Sequence, residues 1–89
     1  MPYVHFHQRQ ILNPIVDALL KEIKEFPEAE QGGAFNYVVF LTLRCLTENK
    51  RYGVQRGFVG DLVWALLEWY RRFAVPYEDD ARMRNGDIV

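Results

Sequence analysis

Polar and apolar positions alternate loosely over residues 1–12, with Tyr3, His5 and His7 on one side and Val4 and Phe6 on the other. That rhythm predicts an extended arm. Asn13-Pro14 then supplies a helix start, because Asn caps free amides and Pro at the first helical position has no amide to leave unbonded. Ile15, Val16, Leu19, Leu20, Ile23 and Phe26 recur at helical spacing, opposite Asp17, Lys21, Glu22, Lys24 and Glu25. The first predicted helix is therefore amphipathic, runs over 14–26 and ends at Pro27.

The stretch PEAEQGG, Pro27 to Gly33, reads as a loop by composition. From Ala34 to Glu48 the chain is apolar on nearly every side. The β-branched and aromatic run Val38-Val39-Phe40 fits a buried strand, but the length of the segment and its polar end at Thr47 to Lys50 favour a second helix over 34–48. A helix apolar all round is buried all round. In a three-helix chain that implies a second subunit covering its outer side. A third helix is predicted over 52–75, stopped by Pro76, with Phe58, Val59, Leu62, Val63, Leu66, Trp69, Tyr70 and Phe73 on one broad face. Gly53, Gly57 and Gly60 have two readings: close backbone approach to another helix or to a ligand, or a helix that starts later, near Gly60. The polar tail allows a short helical turn over 77–84 before Asn85-Gly86. The fold class expected is all-α: three helices, an N-terminal arm, a C-terminal polar tail, and the second helix buried in an oligomer interface.

Composition sharpens this picture. A chain of 89 residues makes one domain, and 49% hydrophobic with 15% aromatic residues is more than so small an interior hides unaided. The formal charge is -1, with 11 basic against 12 acidic residues, so the global basic excess of a nonspecific nucleic-acid binder is missing. The single cysteine, Cys45, excludes an intramolecular disulfide framework and fits a reducing compartment, and no apolar run has the length of a membrane span. A cytoplasmic location without a membrane partner is the expectation.

Candidate chemistry is sparse. His5 and His7 supply two metal ligands where zinc needs three or four, so no metal site is expected. Cys45 lies mid-helix among apolar residues without a neighbouring base, and the chain has neither a phosphate-binding glycine loop nor a nucleophile motif. No catalytic residue and no cofactor is expected; the chain does not read as an enzyme. What stands out is EWYRRFAVPYEDDARMRNGD, Glu68 to Asp87. Arginine offers a planar fork of donors to phosphate and stacks on aromatic rings, and aromatic rings stack on nucleobases. Arg71 and Arg72 are thus candidate phosphate donors, with Tyr37, Trp69 and Tyr77 as stacking surfaces. The alternative is structural: Trp69, Tyr70 and Phe73 fill the core, Arg72 pairs with Glu68 one turn back, and Arg71 pairs with the acidic tail.

The motifs NYV (Asn36 to Val38), YRR (Tyr70 to Arg72), PYED (Pro76 to Asp79) and NGD (Asn85 to Asp87) resemble the pattern of an uncharacterised phage and bacterial family, a domain of unknown function. The segment WALLEWYRRFAVP is similar in style to the last helix of phage anti-CBASS sponge proteins. That second resemblance implies a small helical oligomer that sequesters a cyclic nucleotide messenger without cleaving it. The function expected is accordingly noncatalytic binding by a homo-oligomer, with an anionic nucleotide as ligand. A protein-interaction module, such as an adaptor or inhibitor of a host protein, is the alternative. A nucleic-acid binder ranks third.

Overall fold

A computed structural model describes residues 3–88. Among them there is no strand; the chain is all-α. Helix α1 spans Phe6–Glu25, α2 spans Glu28–Thr47, and α3 spans Tyr52–Trp69. The third helix does not stop there: a π-turn over Tyr70–Ala74 carries it directly into α4, Val75–Asn85. The architecture is thus three helical rods, the last one widened in its middle.

Three boundaries differ from those the sequence predicts. The arm is shorter, because α1 begins at Phe6 and takes in Asn13 and Pro14. The apolar stripe explains it: Ile11 and Leu12 precede Ile15 and Val16 by one turn and continue the same face. His5 caps the start, its backbone N–H donating to the Gln8 side chain at 3.0 Å. Residues 1 and 2 of the predicted arm lie outside the described residues.

The predicted loop over 27–33 is the opening of α2. Pro27 sits just before the helix and its carbonyl accepts from Glu30 N–H at 2.8 Å. Glu28 and Glu30 lie in the first turn, where the helix dipole favours acids. Gln31 then reaches back, donating its Nε2 to the Phe26 carbonyl at 3.1 Å, and so satisfies a carbonyl left over at the end of α1. Pro27 and Gly32-Gly33 give the stretch its loop-like composition, but Pro27 falls before the first turn and good helix formers flank the glycines.

Pro76 does not end the third helix. A proline inside a helix lacks the amide for the carbonyl four residues back and its ring presses on that carbonyl, here Arg72. The π-turn relieves the conflict: Val75 N–H bonds to Tyr70 O, five residues back, and the wider turn lets the chain pass. Gly86, with φ at 88°, finally stops α4, its N–H donating to Arg82 O at 2.8 Å. Asn49, at φ 58°, makes the corresponding left-handed step after α2.

The helices touch in sequence order. α1 packs on α2 near their junction, and α2 packs on α3 through a seam that includes Val39, Leu43 and Phe58, all half-buried. No described residue is fully buried. The radius of gyration is 16.9 Å, against about 12 Å for a compact domain of this length. Accessible surface is 8151 Å² for 10.5 kDa, where a compact monomer of that mass exposes about 5,400 Å². The candidate core residues Trp69, Tyr70 and Phe73 are accordingly exposed, because a single chain gives them no interior to fill. The sequence also leaves open whether α3 starts at Tyr52 or near Gly60; it starts at Tyr52, and among the described residues nothing approaches Gly53, Gly57 or Gly60 closely.

Gly32 lies inside α2 with open space where a Cβ would stand. Gly32→Ala is expected to stabilise the fold by roughly 0.5–1 kcal/mol. A thermal melt followed by circular dichroism should show a midpoint a few degrees higher; a lower midpoint would mean that another backbone packs against this turn.

Candidate functional site

Glu68, on the last turn of α3, gathers three side-chain donors on one carboxylate oxygen. Arg71 and Arg72 follow it by three and four residues, the spacing that places side chains on one helix face. Arg71 Nη2 donates to Glu68 Oε1 at 2.6 Å and Arg72 Nε to the same oxygen at 2.8 Å. A third donor comes from the far end of the chain: Tyr3 hydroxyl reaches Oε1 at 2.5 Å. The Arg72 guanidinium also lies over the Tyr3 ring, 5.5 Å from its centre, a cation–π contact. The Glu68 side chain is 16% exposed, whereas Arg71 and Arg72 remain 66% and 55% exposed.

Three donors on one carboxylate favour its charged form. The Glu68 carboxyl is held down to about 2 from an ordinary 4.5, first by the Tyr3 hydroxyl and next by Arg71, while partial burial works the other way. The pairing in turn pushes the Arg71 guanidinium up, chiefly through its bond to Glu68.

The five residues singled out from the sequence fall in different places. Arg71 and Arg72 come together on Glu68. The expected pair of Arg72 with Glu68 is present, but Arg71 joins it there instead of reaching the acidic tail. The tail pairs with itself, Arg82 standing 3.9 Å from Asp79 and 3.7 Å from Asp87. Trp69 turns toward α2, where it lines an apolar groove with Phe35, Val39 and Leu66, and its ring lies 5.9 Å from Phe73. Tyr37 on α2 and Tyr77 on α4 are exposed. Tyr3 is the site residue that sequence reasoning missed. It lies 65 positions from its partner, and no local pattern announces a contact of that range.

Elsewhere the His5 and His7 rings stack, 5.9 Å apart and nearly parallel. Cys45 is a free, exposed thiol. Among the described residues no group of three His, Cys, Asp or Glu side chains is placed to hold a metal ion, and no helix is long and apolar enough to cross a membrane.

Fold and cluster together define a class: an open all-α chain of three helical rods, with an arginine pair organised by one carboxylate. The chain belongs to the family described as a domain of unknown function (DUF6899), whose model matches residues 1–88. No curated protein and no solved structure matches it.

Because the folded carboxyl titrates below its unfolded value, the Glu68 contacts contribute in full above about pH 4.5 and are lost as pH falls toward 2. The melting difference between the wild type and Glu68→Gln should therefore shrink between pH 5 and pH 2; a constant difference would exclude this carboxylate from the acid limb. Tyr3→Phe removes the largest cause of the shift, and carbon-13 NMR of the Glu68 carboxyl should then show it titrating closer to its ordinary value.

Proposed function

We propose that this chain is a noncatalytic binding protein that works as a homo-oligomer, and that its ligand is an anionic, nucleotide-type small molecule. The observation that carries the reading is the absence of any fully buried residue among those described: a folded chain that covers so little of its own apolar surface is built to be covered by something else.

The ligand chemistry rests on Arg71 and Arg72. Each spends one guanidinium nitrogen on Glu68 and stays more than half exposed, so donors remain for phosphate oxygens. Glu68 fixes the two forks in place beforehand, which lowers the ordering cost of binding. It also leaves one net positive charge among the three groups, enough to favour an anion at this spot in a chain of charge -1. Tyr3, under Arg72, and Tyr77, just past the π-turn, add rings suited to stacking on a base. Sequestration of a nucleotide messenger, as in the phage sponge proteins the last helix resembles, is the most specific form of this reading.

A second reading is favoured by other large exposed side chains, such as Phe40 and Trp64. On that reading the chain grips another protein as an adaptor or inhibitor.

Native mass spectra of freshly purified protein separate the two. The ligand reading expects a defined oligomer carrying extra mass that matches a nucleotide. Arg71→Ala should lose that mass while its melting temperature stays within a few degrees of the wild type. An oligomer without bound ligand would move the reading to a protein partner, and an Arg71→Ala chain that fails to fold would make the arginine structural.

A further inference from the structure

The two walls of the α2–α3 seam continue into one apolar groove. Near the C-terminal end of α3 it is lined by Phe35, Val39, Leu66 and Trp69, with a volume of about 550 Å³. It runs on past Val39 and Leu62, which both sections share, into a second section of about 250 Å³ toward Leu46 and Phe58. No charged side chain lines either section, and the polar ones are Asn36 and Thr42 alone. α1 does not fill the groove, because it packs on α2 and makes no packing contact with α3.

We infer that the occupant of this groove is a second copy of the same chain, seated across a two-fold axis so that the two α2–α3 hairpins form a four-helix arrangement. The inference rests on the oligomeric part of the proposed function and names its surface. Area supports it: the chain exposes about 2,700 Å² more than a compact monomer of its mass. Covering even half of that surplus on each of two chains buries about 2,700 Å² in all, within the obligate homodimer range of roughly 2,000–5,000 Å². Charge agrees, since a net charge of -1 offers little repulsion between copies. Symmetry agrees as well, for an isologous contact needs one self-complementary patch, and antiparallel helices flanking an apolar groove pack onto their own image as helical bundles do. On this arrangement Trp69 is an interface anchor, and the Glu68 cluster on the neighbouring face stays open to ligand.

Tryptophan emission can test this directly, with Trp64→Phe as background. Trp64 lies about 200° from both Leu62 and Leu66 around the helix, on the side of α3 away from the groove, so the replacement leaves Trp69 as the single reporter. Sedimentation of this protein should show an oligomer in which Trp69 emits to the blue and resists acrylamide quenching, and dilution should release single chains with red, quenchable emission. Adding Leu66→Glu should shift sedimentation to the single chain at the same concentration. If Leu66→Glu unfolds instead, the dilution series without it still decides the matter. An oligomer whose Trp69 is quenched as readily as in the single chain would overturn the groove while leaving the oligomeric reading in place. A single chain at every concentration would overturn both.

Discussion

Hydrophobic burial is the main term that offsets chain entropy in folding, and this fold gives it little room within one chain. Three rods joined by short connections touch only in sequence order, α1 on α2 and α2 on α3, so no third layer closes over the seam. Residues such as Val38, Val39, Leu43 and Phe58 are only half-buried, and no described residue is fully buried. Helical hydrogen bonds satisfy the backbone but do not substitute for burial, because net gains from such bonds are small once water is counted. The apolar faces left over are therefore the central physical fact about the molecule, and both the proposed assembly and the groove follow from them.

Against that open framework the Glu68 cluster is unusual in being tightly tied. One carboxylate oxygen joins the N-terminal arm to the end of α3 and fixes two arginines at once. The π-turn beginning two residues later has a steric origin in Pro76, yet it falls where Arg71 and Arg72 are presented. Such turns are frequent at functional sites, and here relief of a proline clash and display of two cations coincide in one segment.

The all-α class was legible because apolar spacing, helix formers and lengths agreed along the chain. Boundaries were harder where one strong local signal outweighed a longer, weaker one. Asn13-Pro14 looked like a start, although the stripe through Ile11 and Leu12 already ran across it. Gly32-Gly33 and Pro76 looked like breaks, yet a helix tolerates them where the flanking turns are favourable or where a π-turn absorbs the clash. The pairing of Arg72 with Glu68 was readable at a spacing of four residues. The convergence of Tyr3 on the same oxygen was not, since it depends on how three rods turn back on one another. Membership of an uncharacterised domain family was the expectation from sequence, and a family of that kind matches residues 1–88.

The central claim is that stability comes from surface shared between copies, and thermal unfolding at widely separated protein concentrations tests it most directly. When unfolding is coupled to dissociation, mass action raises the melting midpoint with concentration. The account predicts a midpoint that climbs steadily from dilute to concentrated samples. A cooperative transition with the same midpoint throughout would contradict it, by showing that a single chain holds its fold without a partner.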